Sequence, residues 1–133
     1  MRESGSISVL VVGVAALVLA LAAALAGVAA VLHGRLAATT AADAAALAAA
    51  PVTFLPFGAE GSPAEEAARF ARLNGTDLVM CVCPVDRSFE PRTVEVRVRR
   101  RVDVAFLGLV DVEATGRAEF IPALLLGAAS GPE

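Results

Sequence analysis

The hydrophobic pattern of this chain changes period twice. Residues 7–32 (ISVLVVGVAALVLALAAALAGVAAVL) carry no charged side chain. An α-helix crossing ~30 Å of hydrocarbon needs about 20 apolar residues. Only a helix satisfies every backbone group of a single segment there. The run therefore predicts a membrane-spanning helix over 7–32. It exceeds the ~7–15 apolar residues of a cleaved signal peptide. After His33, Gly34 and Arg35 the chain continues LAATTAADAAALAAA. Alanine is the strongest helix former, and no breaker intervenes before Pro51. One rod over 6–50, ~65 Å long, is expected. The competing reading is a signal peptide cut at one of the many Ala-x-Ala sites.

In the second half of the rod alanine covers nearly every face from Ala37 to Ala50, with Leu36 and Leu47 the only bulky apolar anchors. Two readings follow: a stiff stalk in water, or a helix that packs among copies or relatives of itself through small residues. Ala23-xxx-Gly27 and Ala30-xxx-Gly34 match small-xxx-small spacing. Asp43 is the one charge in the alanine tract. Packed against other helices, a carboxylate is costly unless paired. Arg35, the nearest basic residue in the chain, lies two turns away and out of reach. Asp43 therefore either faces water or meets a cation on a neighbouring subunit, such as the Arg35 of another copy.

Residues 51–62 form a loop, with Phe54, Leu55 and Phe57 too apolar to stay solvated. Ser62-Pro63-Ala64-Glu65 marks a helix start, with Ser62 as N-cap, Pro63 in the first turn and Glu65 closing a capping box. Ala67, Phe70 and Ala71 make its apolar stripe, Glu65 and Arg69 are spaced to pair at i,i+4, and Asn74-Gly75 supplies the stop. The period then becomes two. Strands are expected over 77–83, 93–107 and 110–120. In the second, Val94, Val96, Val98, Val102, Val104 and Phe106 share one face, against Glu95, Arg97, Arg99, Arg101 and Asp103. Arg100 falls on the apolar face, which suggests a bulge there. In the third, Val112, Ala114, Ala118 and Phe120 face in, so a hairpin would set acidic residues opposite Arg97, Arg99 and Arg101.

The expected fold is α+β: a long N-terminal transmembrane, pilin-like helix, a short helix and a small three-stranded antiparallel sheet. The layout is a polar start over 1–6, a span over 7–32, a helical extension over 33–50 and a loop over 51–62. A domain over 63–121 and an apolar, flexible tail over 122–133 follow.

Composition narrows the function. Net charge is −3, so no basic field suggests nucleic acid. All 11 basic residues are arginine, which suggests a high-GC bacterial genome. The charges flanking the apolar run nearly balance and do not orient it. No catalytic, cofactor-binding or metal-ligand constellation is visible, and no small-molecule substrate is expected. His33 stands alone. Cys81 and Cys83 are too few for a metal site. At i,i+2 in a flat strand they lie about 7 Å apart, too far for an unstrained bridge. The expectation is that they are buried thiols not bonded to each other; a disulfide, within the chain or to a partner, and redox or metal chemistry are the alternatives.

The N-terminal stretch resembles the TadE/TadG-like proteins of tight-adherence (Tad or Flp) pilus systems, relatives of type IV pilins. The likeness lies in the polar start, the apolar helix, the basic Gly34-Arg35 and the alanine tract 41–50 with its Asp43. The short helix ending in Asn-Gly and the alternating strands around an apolar turn, 106–110, extend it over most of the chain. The short, alanine-rich TadE-like proteins of actinobacteria are most similar. The resemblance implies a non-enzymatic minor pilin or pseudopilin, single-pass in the cell membrane with its C-terminal domain outside. Its implied partners are the membrane, other pilus subunits and further copies of itself. Prepilin processing would fall between Gly5 and Ser6. The family's Glu at the fifth mature position is Leu10 here, so the usual register device is missing. The alternative is a single-span membrane protein whose outer domain binds another envelope partner.

Overall fold

The computed structural model describes residues 4–57 and 60–128. The polar start expected over 1–6, the loop over 51–62 and the tail over 122–133 therefore lie partly outside the described residues. The chain is α+β, as its pattern implies. Helix α1 runs unbroken from Ser4–Val52, and α2 spans Pro63–Leu73. Strands β1 (Asp77–Val82), β2 (Arg92–Val104) and β3 (Gly108–Phe120) form one antiparallel sheet in the order β1-β2-β3. A short helix α3, Pro122–Ala128, follows. Part of the stretch expected as flexible tail is thus helical.

The second half of α1 is not a free stalk. It lies across β2 and β3, with α2 beside it. Ala38, Ala41, Ala42, Ala45, Ala46 and Ala49 are fully buried. They recur at the 3,4 spacing of one helix face. Their partners include Val94, Val96 and Val98 of β2, also fully buried, and Ala67 and Ala71 of α2. Each buried valine contributes roughly 1.5–3 kcal/mol. Leu36, Thr39, Thr40, Asp43 and Leu47 point to solvent. The helix is amphipathic in size rather than in polarity: small side chains inward, large or polar ones outward. This corrects the expectation of a free stalk in water, because the small face is occupied by the chain's own sheet and α2.

Gly116 shows how close the layers are. A Cβ there would come 2.5 Å from Ala42 O and Asp43 N. β3 thus presses directly on the backbone of α1. Gly34 and Gly27 do the same for β2: a Cβ at Gly34 would collide with Val102, and one at Gly27 would come 3.3 Å from Val104 Cγ1. The small-xxx-small positions therefore receive the chain's own strand.

α1 ends through buried Thr53. Its N–H and its hydroxyl both donate to Ala50 O, at 3.2 and 2.6 Å. Pro51 sits in the last turn without stopping it, and the helix extends to Val52. Helix α2 begins as its sequence implies: Ser62 Oγ accepts from Glu65 N–H at 3.2 Å, and Glu65 Oε2 accepts from Ser62 N–H at 2.7 Å. That commits Glu65, so Arg69 pairs with Glu66 instead, at 2.6 Å and i,i+3. The expected Glu65–Arg69 pair is corrected on this ground.

β2 and β3 pair in unbroken register, with Arg100 opposite Val112. There is no bulge at Arg100. Its Nη1 instead donates to Asn74 O at 3.4 Å, at the C-terminus of α2, where backbone carbonyls favour a cation. The bulge lies in β1, between Leu78 and Met80. β2 also stops at Val104, earlier than expected, at a three-residue turn of Ala105, Phe106 and Leu107.

Candidate functional surfaces

Among the described residues no three His, Cys, Asp or Glu side chains are grouped to hold a metal ion. The residues singled out by sequence instead fall on separate surfaces. Gly5 and Ser6 lie in the helical start of α1. Arg35 and Asp43 are both exposed on α1, eight residues or ~12 Å of rise apart. Asp43 makes no salt bridge among the described residues. It shares an outward ridge with Leu32, Leu36 and Leu47.

Cys81 and Cys83 are bonded to each other, which overturns the expectation that they are not. Their Cα atoms are 5.5 Å apart, within disulfide range. The flat-strand spacing does not apply, because β1 ends at Val82 and Cys83 is already outside the ladder. The bridge closes the end of the strand as the chain turns into 84–91.

That loop is held by a side chain the sequence reading passed over. Arg92 is buried at the start of β2. Its Nη1 donates to Thr53 O at 3.1 Å and to Asp86 O at 3.0 Å, and its Nη2 donates to Ser88 O. Asp86 N–H donates to Thr53 O at 3.0 Å, and Leu55 N–H donates to Asp86 O at 3.2 Å. One guanidinium thus ties the end of α1 to the loop before β2. The signal was present: Arg92 continues the inward series 94, 96, 98 one step back. Asp86 holds its own turn, accepting from Ser88 Oγ and Arg87 N–H, both at 2.6 Å. These bonds, the Ser88 hydroxyl first, hold its carboxyl below the ordinary range.

Beside this clamp lies an aromatic cluster. Phe54 is buried, with the rings of Phe57 and Phe89 each 5.1 Å away and that of Phe120 at 6.5 Å. The expected docking of the loop onto the domain is realised by Phe54, while Phe57 and Phe89 stay half exposed.

The outer face of the sheet carries cross-strand ion pairs. Arg99 Nη2 lies 2.9 Å from Glu113 Oε1, and Arg117 Nε lies 2.9 Å from Glu95 Oε2. Arg101 is 3.7 Å from Asp111, whereas Arg97 stands opposite Thr115 rather than an acid. Hydrogen bonding to Glu113 raises the Arg99 pKa further above its ordinary value. Exposed pairs of this kind are worth ~0–1 kcal/mol each. They describe a solvated face.

The first half of α1 is bare. It is long and apolar enough to cross a membrane, and the most apolar window is wholly unburied by the rest of the chain. No family model, curated protein or solved structure matches this chain.

Proposed function

We propose that this protein is a non-enzymatic, single-span envelope protein: a TadE-like minor pilin or pseudopilin that takes part in assembling a tight-adherence, Flp-type pilus or a related secretion apparatus. One observation carries the reading. A single unbroken helix is both the bare apolar segment and the spine of the small domain. A subunit built this way transmits any force on its span directly to its exposed part, because no hinge separates them. The Cys81–Cys83 bridge supports a domain outside the cytoplasm, where disulfides persist. The outward ridge of Leu36, Asp43 and Leu47 is the face of the wrapped half left for neighbouring subunits.

Three measurements test this. An alkaline phosphatase fusion after Pro132 should be active and a cytoplasmic reporter silent; the reverse would place the domain inside. Deletion of the gene should abolish surface pili. Asp43→Asn should abolish co-purification with the other pilus subunits, and Arg35→Asp combined with Asp43→Arg should partly restore it. Unchanged piliation in the deletion strain would remove the pilus reading. It would favour a membrane-anchored domain that binds another envelope partner, for which the half-exposed Phe57 and Phe89 are the nearest surface.

A further inference from the structure

We propose that the β2–β3 hairpin tip enters the bilayer beside α1, with Phe106, Leu107 and Leu109 among the acyl chains of the leaflet on the domain's side. This rests on the reading of α1 as a membrane span.

The first argument is a shared boundary. On α1 the uncharged run ends at Leu32, and His33 and Arg35 follow. On the hairpin residues 104–110 are uncharged, between Asp103 and Asp111. These two breaks are far apart in sequence. The contacts of Val102 with Gly34 and of Val104 with Gly27 bring them to the same height. Past that height, toward the N-terminus, neither segment carries a charge. A water–lipid boundary is a plane, and two segments crossing it together must change polarity at one level.

The second argument is the tip itself. Phe106 is 93 % exposed, Leu107 76 % and Leu109 71 %. Phe106 also has φ 69°, a left-handed conformation that turns usually give to Gly, Asn or Asp. A large apolar ring in that backbone, left almost wholly exposed, has no source of stability in water. In lipid its burial offsets the strain. Turn tips in water are normally polar, and an apolar cluster of this kind marks a contact site.

The third argument is the space between tip and helix. A groove of about 810 Å³ separates them, walled by Leu19, Ala23 and Val28 on one side and Val104, Phe106 and Leu107 on the other. Its walls are aliphatic and aromatic, which suits an acyl chain. Depth is consistent too. The apolar run is ~39 Å long as a helix, against ~30 Å of hydrocarbon. The excess lets the hairpin enter at the interface while its ion-paired strands stay in water.

The chain contains no tryptophan, so single tryptophans report cleanly. Phe106→Trp, Leu17→Trp and Phe57→Trp would each be made in the full chain and reconstituted into phosphatidylcholine vesicles, with or without brominated acyl chains. Leu17 lies within the proposed span, and Phe57 at the opposite end of the sheet from the tip. Trp at 106 should be quenched by brominated lipid nearly as strongly as at 17, and shielded from aqueous acrylamide. Trp at 57 should show the opposite. If position 17 is quenched while position 106 is open to acrylamide and untouched by bromine, the hairpin proposal is overturned and the span stands. If position 17 is not quenched, both fall. If position 106 is shielded from both probes, protein covers the tip, and the lipid assignment is overturned in favour of a neighbouring subunit. Leu107→Trp repeats the measurement should Phe106→Trp misfold.

Discussion

The two halves of α1 are one continuous helix and differ in what surrounds them. Residues 7–32 are rich in Leu and Val on every face, and most of them touch no other part of the chain. Residues 33–52 present alanine on one face, and a sheet closes over it. What separates the halves is size. Leu or Val all round holds another backbone away, whereas a row of alanines lets it approach until glycine is required opposite, as at Gly116. Gly34 continues that approach and Gly27 carries it into the first half, where the hairpin follows the helix down.

The comparison breaks most sharply at the glycines. Gly116→Val should destabilise the domain by about 3 kcal/mol or more, because the obstructing atoms are α1 backbone and cannot swing aside. Gly13, with nothing within 4 Å of an added Cβ, should accept Val without loss. Thermal unfolding of both variants in detergent, followed by circular dichroism, measures the contrast. Equal midpoints would mean that the sheet does not close on the helix.

Arg92→Met tests how the wrapped half is held at its far end. It leaves Thr53 O, Asp86 O and Ser88 O each one donor short, the first buried and the other two part-buried. A loss of about 1–3 kcal/mol in urea unfolding is expected. A change within the error of the midpoint would show that water replaces the guanidinium at no cost.

Cys83→Ser should cost less, about 1–2 kcal/mol, because the bridge closes a very short loop. Dithiothreitol should have the same effect on the native protein and none on the variant. Sensitivity of the variant to reductant would point to some other oxidised group.

The smallest effect concerns pH. The Asp86 carboxyl is lowered from its ordinary 3.8 in the folded state by its hydrogen bonds. A depressed carboxylate stabilises the fold above its unfolded pKa, and that contribution is lost as pH falls through the folded value. Stability should therefore decline below about pH 4. Asp86→Asn should flatten part of that decline; an identical acid profile would assign it to other carboxylates.

Much of the architecture was written locally. A charge-free run, an alanine tract without breakers, a capping box at Ser62 and a switch to period two determine a long helix, a short helix and a sheet. Each signal depends only on neighbours in sequence, through helix propensity, capping geometry and side-chain alternation. Tertiary structure decided what the alanines face, because alanine's polarity does not distinguish core from solvent. Only the sheet's position assigns Ala42 inward and Asp43 outward. It decided the fate of Arg92 and Arg100, whose alternation is ambiguous until a carbonyl from a distant segment arrives to accept the guanidinium. It decided the Cys81–Cys83 bridge, because where β1 stops depends on its pairing with β2 and not on its own residues. It also placed the apolar tip against α1. Residues 106–110 read locally as an ordinary turn, and only the strand register and the glycines of α1 carry them to the level of the uncharged helix.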